Sequence, residues 1–349
     1  MLETLFVLGL GSTLFGFLWW GFRTLPNERW QIVATVPWSK ENGRWRGLNL
    51  TYYGLLSATA HVLAVAVFIM LLSALAVPAI ATITLVALTL AACVPASSIV
   101  ARLVEKKLHT FSVAGAFFVG VMVVPPILVF INATLGVRYG FAVPYLPSMA
   151  AIVIAYAFGE GLGRLACISF GCCYGKALEQ TAPWVQKLFS HWHFIFIGET
   201  KKIAYASGMH GVKVVPVQGM TAIIYVVAGL LGTALFFASQ YTAAFIVTML
   251  ITQLWRAFSE TLRADYRGTG RLSVYQIMAL TASAYSFALS VWFADASVAR
   301  ADLGAGLAVF WQPATLLCLQ ALWLTMFLYT GRSSVTEADV SFRVCREKI

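Results

Sequence analysis

Long apolar runs separated by short polar breaks fill most of the chain. Runs near Leu5 to Phe22, Tyr53 to Leu75, Ile80 to Val104, Val113 to Leu135, Leu146 to Leu165, Val217 to Phe237, Thr242 to Leu262, Val274 to Phe293 and Ala305 to Leu328 carry few charges. About 20 apolar residues is the length a helix needs to cross the hydrocarbon with its backbone hydrogen bonds satisfied internally. The pattern predicts an all-α polytopic membrane protein of about nine transmembrane helices. Trp19, Trp20 and Phe22 are a poor match to a small-residue cleavage site, so the first run is read as an anchor rather than a signal peptide. Three regions follow: an anchor helix and basic arm over 1–50, a membrane core over 51–294, and an extra helix with a polar tail over 295–349. Within the core, about residues 166–215 form a small interfacial head whose Trp184, Trp192, Phe194 and Phe196 suit the headgroup layer.

Composition supports this class. Hydrophobic residues make up 60% of 349 and charged residues 11%, and mean hydropathy is +0.81, more apolar surface than a soluble chain of this length buries. The basic arm from Arg23 to Arg46 reads as a contact with a membrane surface, and nothing in the pattern suggests nucleic-acid recognition. Cys167, Cys172 and Cys173 form a CxxxxCC pattern that lacks the two spaced pairs of a structural zinc site, and His191 with His193 is a weak HxH. Neither a metal nor a cofactor is expected from these spacings.

Charges inside apolar runs are the informative exceptions. Each costs about 2.5–3.5 kcal/mol near the bilayer centre on insertion scales, so it needs a partner or water. Glu160 and Arg164 are spaced i, i+4 on the fifth run; Arg256, Glu260 and Arg263 place plus, minus, plus on one face of the seventh. Counting crossings brings the start of the second run (Tyr53), the start of the fourth (Ala114, Gly115), the end of the fifth (Arg164), the start of the sixth (Gln218) and the end of the seventh to one membrane face. Gly159, Gly161 and Gly163 would let a backbone or a ligand approach closely. Such a cavity, with surplus positive charge, fits the phosphate of a lipid headgroup; a mutually neutralised triad that only holds helices together is the alternative.

In its motifs the chain resembles the phosphatidylglycerol:prolipoprotein diacylglyceryl transferases. The resemblance is carried by Tyr52-Tyr53-Gly54, by GRLACISFGCCYGK opening at Gly163 and Arg164, by Pro216 with Gln218, and by Arg256, Phe258, Glu260 and Arg263 of RAFSETLR. Order and spacing match from about Tyr52 to Leu280, in the manner of a divergent branch. In that family a lipobox cysteine thiol attacks the glycerol carbon next to the phosphate of phosphatidylglycerol, and glycerol 1-phosphate leaves. The resemblance implies that Arg164 and Arg256 hold the phosphate, Tyr53 lines the cavity, Gln218 binds the headgroup and Glu260 orients the arginines. Arg263, Gly115, Gly163, Tyr174 and Glu160 join them as substrate-binding candidates. It further implies a multi-pass protein of a bacterial cytoplasmic (inner) membrane, with an anionic phospholipid and a prolipoprotein as partners.

The departures are as specific as the matches. The family's two histidines fall at Ala114 and Val215, the asparagine after its GRLG falls at Cys167, and a tyrosine falls at Thr252. A thiol of pKa about 8.5 pays only about 2 kcal/mol to ionise at pH 7, whereas a positioned base contributes about 3–5 kcal/mol. A thiol acceptor would therefore be slowed, not forbidden, with Glu160, Glu260 or His210 as substitute bases. Two further readings compete with the transferase: a non-catalytic lipid binder or translocator that kept the phosphate cradle, and a transporter of an unrelated anion. Orientation also divides the expectations. Loops on the Arg164 face carry nearly all Lys and Arg, and the opposite loops carry Arg138 and Arg300, so the positive-inside rule turns that face to the cytoplasm. The family places it outside; a cytoplasmic site would imply a different acceptor.

Overall fold

The computed structural model describes residues 1–105, 112–264, 272–293 and 299–349. Its helices in chain order are α1 (Leu2–Thr24), α2 (Tyr52–Ala74), α3 (Ala79–Glu105), α4 (Val113–Ile131), α5 (Val137–Tyr139), α6 (Tyr145–Phe170) and α7 (Pro183–Leu188). They continue as α8 (Lys202–Ser207), α9 (Val217–Phe237), α10 (Tyr241–Ser259), α11 (Val274–Trp292), α12 (Leu303–Ala308) and α13 (Pro313–Thr330). Among the described residues, nine helices are long and apolar enough to cross a membrane, which establishes the all-α polytopic class.

Helix α6 is the hub, packing against α2, α9 and α10. Its glycines make the close crossings possible. A Cβ on Gly159 would come within 2.9 Å of Ala64 of α2, and one on Gly161 within 3.1 Å of Tyr225 of α9. Without a strong hydrophobic drive between helices in lipid, such small residues let backbones pack through dispersion. Outer helices complete the bundle: α1 lies on α9, α11 on α10 and α4, and α13 on α2.

The ninth run departs from one continuous helix. Gln312 is extended (ψ 121) ahead of Pro313, because a proline ring disfavours the helical region for the residue before it. The run therefore splits into α12 and the spanning α13. Much of the basic arm is folded as sheet. Strands β1 (Ile32–Glu41) and β2 (Arg44–Thr51) form an antiparallel hairpin, and β2 is joined on its other side by β5 (Ala338–Val340) of the tail. The turn is Asn42-Gly43, both at positive φ, the pair that a two-residue hairpin turn favours. The basic loop segments 106–111 and 265–271, and the core boundary at 294/295, lie outside the described residues.

The head over 171–216 carries a short sheet of β3 (Phe194–Ile195) and β4 (Lys213–Val214). Buried Lys201 ties it to the bundle. Its Nζ donates to the carbonyls of Leu25 (3.0 Å) and Ser169 (2.6 Å), supplying donors where α1 and α6 run out of their own. Burial pulls this ammonium down to a pKa of about 8, with Glu28 acting in the opposite direction.

Candidate functional site

Helix α6 ends at Gly171, which adopts φ +67, a left-handed conformation natural to glycine at a helix C-terminus. The Cys172 N–H then donates back to the Cys167 carbonyl at 3.0 Å. This fold-back returns the following residues toward the last turn of the helix. Beyond it, Lys176 N–H donates to Leu262 (3.0 Å), Ala264 N–H donates to Tyr174 (3.1 Å), and Gly175 bridges Arg263. The end of α6 is thereby fastened to the end of α10, and the charged residues of both helices share one level.

Between them lies a small cleft, lined by Arg164, Cys173, Gln218, Arg256, Glu260 and Arg263 together with Val217, Thr221, Tyr225 and Ser259. Arg164, Arg256 and Arg263 are all buried. Arg164 pairs with Glu160, one turn back on α6, and Arg256 reaches the same carboxylate oxygen from α10 at 3.5 Å. Glu260 stands 3.8 Å from Arg263. The expected division of labour is thus exchanged: among the described residues, Glu160 bridges the two arginines of separate helices. The cause is helical geometry, since Glu260 begins a short 3-10 turn after α10 and so faces Arg263.

Among the described residues, four polar atoms in this layer have no hydrogen-bond partner: Arg164 Nε, Arg256 Nε, Gln218 Oε1 and Glu260 Oε2. Buried polar groups are normally paired, and leaving one unmet costs about 1–3 kcal/mol. Two of the four are cationic donors and two are acceptors. Gln218 is held by its amide, which donates to the Cys172 carbonyl at 2.9 Å. Behind the cleft, Tyr225 donates to the Thr252 carbonyl (3.0 Å) and Trp255 to Thr221 Oγ1 (3.0 Å), while Arg256 lies 5.9 Å over the Tyr275 ring.

Other candidates fall outside this lining. Tyr53 packs edge-on against Phe170 at 5.6 Å. Tyr174 bonds Ser207 through its hydroxyl. A Cβ on Gly115 would meet Val100 of α3, and one on Gly163 would lie 3.8 Å from Ala60 of α2, so both glycines sit at helix crossings. Val215 and Ala114 are buried apolar positions. His210 is exposed, His191 turns to Ser190, and His193 to the Phe189 carbonyl. Ser259 and Tyr225 line the cleft without having been singled out by the sequence pattern. Neither carries a charge or a motif that would mark it before the helices are packed.

The cysteines are closer than their spacing suggests. The sulfurs of Cys167, Cys172 and Cys173 all lie within 4.8 Å of one another, and Arg164 Nη1 is 4.0 Å from Cys167 Sγ. Hydrogen bonds from Cys167 and Cys172, with Arg263 and Arg164 nearby, hold the Cys173 thiol well below its ordinary value. Comparison with known family models and with curated proteins gives no match for this chain.

Proposed function

We propose that the chain is a membrane transferase that moves a diacylglyceryl group, or a related lipid moiety, from an anionic phospholipid such as phosphatidylglycerol to an acceptor nucleophile. The observation that carries this reading is the set of unmet polar atoms in the cleft. Arg164 Nε and Arg256 Nε suit phosphate oxygens, because a guanidinium keeps its charge and presents planar donors. Gln218 Oε1 and Glu260 Oε2 suit the hydroxyl groups of a glycerol head.

In the step itself the acceptor atom bonds to the glycerol carbon next to the phosphate and the carbon–oxygen bond breaks. The electron pair stays on the phosphate oxygen, glycerol phosphate leaves, and the acceptor's proton departs to solvent. Arg164 and Arg256 stabilise the charge that grows on the departing phosphate, the kind of preorganised term that is often largest in catalysis. Glu160 fixes their spacing. A bacterial inner membrane and a prolipoprotein acceptor belong to the same reading. The test supplies membranes holding the protein with headgroup-labelled phosphatidylglycerol and follows release of glycerol phosphate. Lipid that co-purifies but yields no product would favour the lipid-binding alternative instead.

A further inference from the structure

We propose that Cys167, Cys172 and Cys173 form a binding site for a thiophilic d10 cation, Zn2+, at the edge of the cleft. Their sulfurs already stand within 4.8 Å of one another. Zinc holds thiolates at about 2.3 Å, which sets tetrahedral sulfurs about 3.8 Å apart, so a contraction of at most about 1 Å closes the set. The C-terminal turn of α6 and the αL glycine after it are what assemble the three, through the Cys172 N–H to Cys167 carbonyl bond. Zn2+ on three thiolates carries one net negative charge, and Arg164, 4.0 Å from Cys167 Sγ, offsets it. A monovalent cation such as Cu+ would leave two negative charges in the same apolar layer, which favours the divalent ion.

Three protein ligands leave one coordination position, the arrangement of catalytic rather than structural zinc. Cys173 is the ligand that lines the cleft, so the ion borders the space where the lipid phosphate is placed. Resting on the transferase reading, the fourth position takes the sulfur of a thiol acceptor. A metal-bound thiol loses its proton outright, so the acceptor sulfur arrives as thiolate and its proton goes to solvent. That sulfur then bonds to the glycerol carbon as the carbon–oxygen bond breaks toward phosphate. The ion thereby supplies what the histidine positions occupied by Ala114 and Val215 lack.

The experiment loads the purified full-length protein with Co2+ in place of Zn2+ under reducing, oxygen-free conditions. Sulfur-to-cobalt charge-transfer absorption with about one ion per chain, displaced by Zn2+, is expected. Affinity should fall more than about 100-fold in Cys173→Ser and in Cys167→Ser, each checked for an unchanged elution profile and an unchanged spectrum of secondary structure. No charge-transfer band in the native protein, or a band that survives both variants, overturns the site; so does a disulfide among these cysteines in freshly reduced material. Failure of the lipid reading is separately visible: stoichiometric cobalt binding in a native protein that releases no glycerol phosphate from headgroup-labelled phosphatidylglycerol keeps the metal site and removes the transferase role.

Discussion

Arg256 on α10 lies 3.5 Å from Glu160 on α6, at the same carboxylate oxygen that Arg164 holds. One carboxylate thus registers two guanidiniums from separate membrane helices, and both keep an unmet Nε. Both arginines line the cleft, and on the transferase reading their unmet donors are what would distinguish the cluster from a neutral clamp.

Arg164→Ala and Arg256→Ala should each lower release of glycerol phosphate from phosphatidylglycerol by at least about 100-fold, the scale for loss of one preorganised charge-stabilising donor. Lys in either place restores charge without the planar fork and should recover only part of the rate. Radiolabelled headgroup release measures both. Equal turnover in the native protein and both Ala variants would remove the phosphate role.

Glu160→Gln leaves two buried guanidiniums without their shared counter-charge. Breaking a buried pair in this way costs about 3–5 kcal/mol, so the detergent-solubilised protein should melt several degrees lower. Glu260→Gln should cost less, since Arg263 also has the Gly175 backbone bridge to hold its segment. Thermal unfolding followed by fluorescence of the tryptophans tests the order of the two variants.

Gly161 and Gly163 are two residues apart on α6 but face different neighbours. A Cβ at Gly161 would crowd Tyr225 at 3.1 Å and Val226 at 3.2 Å, while one at Gly163 finds Ala60 at an ordinary 3.8 Å. Gly161→Ala should destabilise by about 1–3 kcal/mol through overpacking, and Gly163→Ala should be neutral or gain slightly in helix propensity. The same melting experiment separates them.

Lys201 offers a pH signature. Its pKa is about 8 in the fold against an ordinary value of 10.5, so between these values the unfolded chain binds more protons than the folded one. Stability contributed by this group therefore rises with pH across that window and is flat below it. Lys201→Met removes the donors to Leu25 and Ser169 and should destabilise at neutral pH by about 1–3 kcal/mol. The gap between native and variant melting temperatures should widen from pH 8 to pH 10. A constant gap would mean that the ammonium is not desolvated.

Much of this was legible along the chain, because apolar runs of membrane-spanning length admit few folds and a charge inside one must meet a partner. The shared level of Arg164, Gln218 and Arg256 followed from counting crossings alone. What the chain concealed depends on side-chain direction and on fold-back. Glu160 rather than Glu260 bridges the arginines, since a 3-10 turn at Glu260 re-aims it. The cysteine cluster needs the reversal after Gly171, which a CxxxxCC spacing does not announce. Gly163 could serve a ligand or a helix crossing by sequence, and its nearest neighbour, Ala60 of α2, is known only once the helices are packed. The Asn42-Gly43 turn, by contrast, was a readable hairpin signal embedded in a segment whose charge drew attention to membrane contact.

The direction in which the cleft faces is testable at exposed head residues. Trp184 and Leu188 are 66% and 62% exposed, and both lie in α7, on the loop that joins α6 to α9. The excess of Lys and Arg on this side predicts a cytoplasmic head. A Leu188→Cys variant in a chain whose native exposed cysteines, Cys318 and Cys345, are changed to Ser should resist a membrane-impermeant maleimide in sealed cells and react after the membrane is opened. Labelling in sealed cells would place the head outside. An outward head would restore a secreted lipobox thiol as the acceptor; an inward one requires an acceptor reached from the cytoplasm.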